Sequence, residues 1–313
     1  MRSTLAPLFY FGGKSVVRMN LFDKNLIHYE GELGIFDYDP KEFEVKLSPG
    51  GGDYLHYCGK GKSVNLPEGC TNTRYMFSYC KFPVGFSLGL DFDTSRVTDM
   101  ERMFYNCKMS ECFTLEELFD TSNVTNMEGM FNRCSLPQNF SLGEKFNTSK
   151  VTSMKWMFCW CELPKVFSLG EKFDTSNVRD MEYMFNGCTL PDNFTLGKHF
   201  DVSNVINMES MFAYSKIPRG FSLGEYFDTS RVEHMANMFR ECKYNGIDIY
   251  EYFKAQNDEE LISKLRKPKS TKDSVTTNSN LEVLMQSVSE ELQVSASVVQ
   301  CMVESYLKSL LSK

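Results

Sequence analysis

Tryptophan and histidine are scarce in this chain, which has 2 and 4 of them among 313 residues. Four histidines scattered as His28, His56, His199 and His234 have no nucleophile motif beside them, so no Ser/His/Asp or Cys/His constellation is singled out. Long apolar runs are also missing, and nothing reaches the length needed to span a bilayer. Leu5–Phe11 precedes Gly12-Gly13-Lys14 without a cleavage pattern, so neither a signal peptide nor a cell-wall anchor is expected, and the expected location is cytoplasmic. A surplus of positive charge is absent too. Lys and Arg total 34 against 41 Asp and Glu, a net charge of −7 that argues against blanket phosphate neutralisation of nucleic acid. Gly12-Gly13-Lys14-Ser15 and Gly61-Lys62-Ser63 resemble the end of a phosphate loop, but Leu8 and His56 stand where its first glycine belongs.

What the chain does have is concentrated: 26 Phe, 18 Met and 11 Cys. Met-Phe pairs stand at Met76-Phe77, Met103-Phe104, Met130-Phe131, Met157-Phe158, Met184-Phe185, Met211-Phe212 and Met238-Phe239, always 27 residues apart. Three residues after each Phe comes Cys80, Cys107, Cys134, Cys161, Cys188, Ser215 or Cys242. Phe92, Phe119, Phe146, Phe173, Phe200 and Phe227 form a second column, and Val97, Val124, Val151, Val178, Val205 and Val232 a third. An uninterrupted period implies that every unit meets its neighbour in the same way, as in a solenoid.

Within one unit, Val124, Met127, Met130, Phe131 and Cys134 suit one face of a helix, with Thr121 and Ser122 as N-caps and Pro137 as its stop. Phe140 and Leu142 alternate with polar residues as a short strand would, and Gly143 marks a turn. The expected fold class is therefore an α/β repeat solenoid of 27-residue units, one short helix and one short strand per turn. Residues 1–64 lack the period and read as an N-terminal β cap, with strands at 35–45 and 54–57. The repeats occupy 65–253, a helix and polar linker 254–280, and a helical hairpin 281–313. The hairpin's apolar faces, Leu281 to Leu292 and Val298 to Leu310, are wide enough to favour a homodimer through 281–311.

The phrases FDTSNVTNMEGMF (119–131) and FDTSNVRDMEYMF (173–185) resemble the BspA-like, mycoplasma-type leucine-rich-repeat proteins over about residues 65–253. The resemblance implies a leucine-rich-repeat-like, right-handed solenoid used for binding, and it implies no particular reaction. It also implies a setting on a bacterial surface, or on a phage or mobile element with a virion-associated product. Residues 281–311 are similar to the helical dimerisation segment of HU-type proteins but lack the DNA-contacting arms.

The cysteines fit reduced core thiols better than disulfides, since Ser215 interrupts their column and Cys58, Cys70, Cys112, Cys159 and Cys301 follow no pairing rule. Cys159-Trp160-Cys161 lacks zinc-site spacing, and no metal or cofactor is expected. Asn123, Asn139, Asn147 and Asn193 open glycosylation-type triplets that read as by-products of the repeat's capping residues. Function should lie where the units differ. Both tryptophans, Trp156 and Trp160, share one unit, with Tyr183 and Tyr214 on following turns and Arg133 and Tyr105 at neighbouring variable positions. These six are the candidate partner-binding residues, and an aromatic stripe of this kind either binds a protein or packs against adjacent turns. The expected function is a non-enzymatic, protein-binding scaffold. A surface adhesin is the first alternative. A nucleic-acid-associated or inhibitory protein, using the acidic repeats or the basic linker Lys264–Lys272, is the second.

Overall fold

The computed structural model describes residues 9–11, 15–20, 22–48, 52–218, 221–224, 227–244 and 247–248. The chain divides into two units, Met1–Arg266 and Lys267–Lys313, and the described residues all belong to the first. The expected linker helix, helical hairpin, HU-like segment and dimer contact at 254–313 lie outside the described residues.

Strands β1 (Phe9–Phe11), β2 (Ser15–Met19), β3 (Ile27–Gly31) and β4 (Gly34–Tyr38) form an antiparallel sheet in that order. A second antiparallel pair joins β5 (Phe43–Leu47) and β6 (Asp53–Tyr57). Strand β5 shows inward Phe43 and Val45 between outward Glu44 and Lys46, the period of two that buries one face of a sheet. These strands meet the first repeat through its backbone: Thr71 N donates to Leu33 O at 2.9 Å and Tyr57 N to Met76 O at 2.8 Å. Short β7 (Ser63–Val64) pairs in parallel with β8 (Ser87–Leu88).

The repeats then register on one another in parallel. Single bridges link Asn72 to Asp99, Asp99 to Asn126, Asn126 to Ser153, Ser153 to Asp180, Asp180 to Asn207 and Asn207 to His234, each one period further on. At the far end β9 (Lys216–Ile217) pairs in parallel with β10 (Lys243–Tyr244), and β11 (Ile247–Asp248) turns back antiparallel on it.

The expected α/β class is overturned here. No helix occurs among the described residues, and the strands are short pieces. In the stretch read as a helix, Met130 N donates to Met127 O, Asn132 N to Gly129 O and Cys134 N to Phe131 O, a chain of three-residue turns. The alternate N–H groups leave the coil altogether: Gly129 N goes to Lys155 O, Phe131 N to Met157 O and Arg133 N to Cys159 O, at 2.7–2.9 Å. A left-handed residue precedes each Met-Phe pair and each position of the cysteine column, as at Trp156 (φ 57°) and Trp160 (φ 53°), and interrupts any helical run. The apolar spacing of three that suggested a helix is the spacing of these turns.

Thr121 and Ser122 are not helix caps. The Thr121 hydroxyl donates to Asn147 O at 2.8 Å and accepts from Asn147 N at 2.7 Å, so one side chain satisfies both backbone groups of a residue in the next coil. Thr148 does the same for Asp174, at 2.7 and 2.8 Å. Phe140 and Leu142 are buried around exposed Ser141, but no strand forms there.

The core is columnar. Phe77, Phe104, Phe131, Phe158, Phe185, Phe212 and Phe239 stack face to face with centroids 5.4–5.7 Å apart and planes within 7° of parallel. Phe140, Phe167, Phe194 and Phe221 meet that column edge-on at 5.6 Å. Offset stacks and edge contacts are the two favoured aromatic geometries.

Thr148→Val is expected to cost about 2–4 kcal/mol in urea unfolding, because the buried hydroxyl it removes pairs both the N–H and the carbonyl of half-buried Asp174. Val202 holds the same column natively and is fully buried, so valine's shape fits and the change isolates the hydrogen bonds. A loss below about 0.5 kcal/mol would show that water replaces the hydroxyl.

Candidate partner-binding face

The turns that carry Met and Phe inward carry other side chains outward, and the left-handed residues define two outward columns. One runs Tyr75, Arg102, Gly129, Trp156, Tyr183, Ser210, Asn237; the other runs Tyr79, Asn106, Arg133, Trp160, Gly187, Tyr214, Glu241. Trp156 and Trp160 are therefore not neighbours on a helical face, as their spacing of four suggested. They stand in different columns with different surroundings.

In the first column the rings pack on adjacent coils. Trp156 is half-buried and 6.4 Å from Tyr183, which is buried. Lys155 Nζ lies 4.4 Å from the Trp156 ring centre and the Arg102 guanidinium 5.3 Å. Tyr105 is also buried, edge-on to Tyr79 at 5.2 Å. Arg102 reaches Trp156 because Gly129 intervenes: a Cβ there would come within 2.9 Å of the arginine's Cγ.

The second column is the open one. Trp160 is 52% exposed, Tyr214 43% and Tyr79 42%, with Arg133 half-buried one coil before Trp160. The structure thus separates the six predicted residues into a packed group (Trp156, Tyr183, Tyr105) and an outward group (Trp160, Tyr214, with Arg133 partly so). Sequence reasoning missed Gly187, Gly129, Arg102, Lys155 and Tyr79. Gly129 and Gly187 were visible as the glycines among variable residues of their columns, but only coil-to-coil geometry shows what crosses them.

Between the two columns and the inter-coil bridges runs a partly buried row of carboxylates. Burial raises the pKa values of Asp99, Glu101, Glu128 and Asp180 above the usual carboxylate value, with Arg102 and Lys155 pulling Glu128 back. Lys155 Nζ pairs with Glu182 at 2.9 Å. The aspartates also shape the backbone locally. Asp99 Oδ1 accepts from Glu101 N and Asp180 Oδ1 from Glu182 N, each at 2.9 Å, closing the turn that starts each outward segment.

The ten described cysteines form no disulfide. In their column the thiol donates to the phenylalanine carbonyl of the preceding coil: Cys107 to Phe77 O, Cys134 to Phe104 O and Cys188 to Phe158 O, at 2.7–2.8 Å. Ser215 makes the same bond to Phe185 O at 2.6 Å, which explains its place in the column. Two asparagines of the glycosylation-type triplets have structural bonds, Asn123 to the preceding coil and Asn147 within its own turn. Asn123 Nδ2 donates to Ser95 O and Asn147 Oδ1 accepts from Ser149 N. Among the described residues no group of three or more His, Cys, Asp or Glu could hold a metal ion, and no helix is long and apolar enough to cross a membrane. The histidines stand apart, His28 paired with Asp37 at 2.9 Å and His199 and His234 exposed on different coils.

Parallel-registered 27-residue coils with a constant core and a varied outer face define a repeat protein. The family described as "Mycoplasma protein of unknown function, DUF285" matches residues 71–163 and 162–277, more than half of the chain, and the chain belongs to that family. It is the BspA-like, mycoplasma-type repeat family that the phrases at 119–131 and 173–185 resemble. No curated protein and no solved structure matches the chain.

Proposed function

We propose that this is a non-enzymatic repeat protein that binds another protein through the outward face of its coils. The observation that carries the reading is the open column: Trp160 and Tyr214 keep about half their surface in solvent on a face whose inward positions hardly vary. Large aromatic rings held on rigid backbone are the side chains that dominate protein interfaces. The coil stack supplies that rigidity, since each outward residue sits between hydrogen bonds to the coil that follows.

The test is affinity capture from the host cell with the wild-type protein, Trp160→Ala and Trp156→Ala/Trp160→Ala. A specific partner should be retained by the wild type and lost from both variants. Half-buried Trp156 should add little to the loss. A partner held equally by all three proteins would refute the aromatic face.

A further inference from the structure

Gly187 separates Trp160 from Tyr214 in the open column. Its φ of 69° is left-handed, but Arg133 (59°), Trp160 (53°) and Tyr214 (60°) adopt the same conformation in that column with side chains attached. The backbone therefore does not demand glycine here. The space does: a Cβ at 187 would fall 2.5 Å from Cδ2 of the Trp160 indole and 2.7 Å from its Cε2 and Cε3. The indole lies against the bare backbone of the next coil, 27 residues on, the coil that stands between it and Tyr214 in the column.

Building on the protein-binding reading above, we propose that Trp160 laid across Gly187, together with Tyr214, forms a fixed aromatic platform that receives arginine or lysine side chains of a cationic partner segment. The molecule already places cations on rings of both columns. Arg102 and Lys155 sit on Trp156, and Arg240 lies 5.9 Å over the Tyr214 ring. A cation over an indole face gains most where water is partly excluded, as it is against a flat, backed ring. Charge points the same way. The chain is net −7, and exposed Glu162 lies two residues from Trp160, fixed by a hydrogen bond from Ser135 Oγ at 2.6 Å. A net-negative chain attracts a cationic segment before contact.

The test uses the full chain and a fluorescein-labelled (Gly-Arg)4 peptide in fluorescence polarisation. Its (Gly-citrulline)4 counterpart keeps the shape and loses the charge, and maltoheptaose tests sugar stacking on the same rings. The arginine peptide should bind, at least 10-fold tighter than the citrulline peptide, and weaken as salt is raised. Trp160→Ala should weaken it at least 10-fold. Gly187→Ala, which lifts the indole while placing alanine in a backbone conformation its column-mates already tolerate, should weaken it several-fold. The double variant should bind no worse than Trp160→Ala alone, because the glycine acts only through the indole.

Equal binding of arginine and citrulline peptides, no arginine-peptide binding, or binding unaffected by Trp160→Ala overturns the proposal, as does maltoheptaose binding in place of the peptide. Wild-type binding by Gly187→Ala removes the glycine from it. If the captured partner still depends on Trp160 while the arginine peptide fails, the cationic identity falls and the protein-binding reading stands. Loss of Trp160 dependence in both experiments removes both.

Discussion

Phe158→Ala is expected to destabilise the repeat stack by about 3–5 kcal/mol. Phe158 has no exposed surface, lies 5.7 Å from Phe131 and 5.5 Å from Phe185 in parallel stacks, and meets Phe167 edge-on at 5.6 Å. Three rings, from the coils on either side and from a neighbouring turn, therefore lose a shared partner at once. The site cannot collapse to fill the space, because the backbone on both sides is fixed by Phe158 N to Met184 O and Phe131 N to Met157 O, each 2.9 Å. The cost should fall at the high end of the range for that reason. Urea unfolding of wild type, Phe158→Ala and Phe158→Leu measures it. Leucine refills most of the volume and should recover more than half of the loss. A cost for Phe158→Ala below about 1 kcal/mol would contradict the columnar core.

That core was readable in the sequence and the backbone around it was not, for a physical reason. Met130, Phe131, Val124 and Cys134 repeat at a fixed interval because each must meet the same neighbour one coil away, and chemical identity records that demand. Conformation leaves a weaker trace. Three-residue turns and a helix both bring every third residue to one side, so Val124, Met127 and Met130 fit either. The deciding feature is the left-handed residue before the methionine of each Met-Phe pair, and tyrosine, arginine, tryptophan, serine and asparagine all occupy it, at Tyr75, Arg102, Trp156, Ser210 and Asn237. Such a mixture of residues carries no left-handed signature in sequence.

The candidate face was half legible for the same reason. The aromatic residues were identifiable by their rarity and by their place in the variable positions. Their division into two columns depends on the turn geometry, which sends Trp156 against Lys155, Arg102 and Tyr183 and leaves Trp160 open. Placing all six on one helical surface joined residues that the coil holds apart.

The folded protein should lose its structure cooperatively between about pH 10 and 12, the consequence of the buried thiols that line the coils. Burial raises Cys70 and Cys188 from the usual 9.0 to about 12, and pushes Cys107, Cys159 and Cys161 well above 9.0. Burial likewise raises Tyr29 and Tyr38 from 10.0 to about 12. A thiol with a raised folded value stays protonated in the coil while the unfolded chain ionises, so its contribution is unchanged below about pH 9 and stability falls as pH rises toward 12. Each such group costs about 1.4 kcal/mol per pH unit over that window. By about pH 11, Cys70 and Cys188 alone remove about 5 kcal/mol, comparable to the whole stability of an ordinary domain.

Circular dichroism against pH under reducing conditions follows the transition, and return to about pH 8 should restore the signal. Cys188→Ser should move the midpoint upward, since serine does not ionise there and Ser215 shows that a hydroxyl can make the same bond in this column. Native ellipticity persisting at about pH 12, or a midpoint unmoved by Cys188→Ser, would mean that these thiols do not control the alkaline limit.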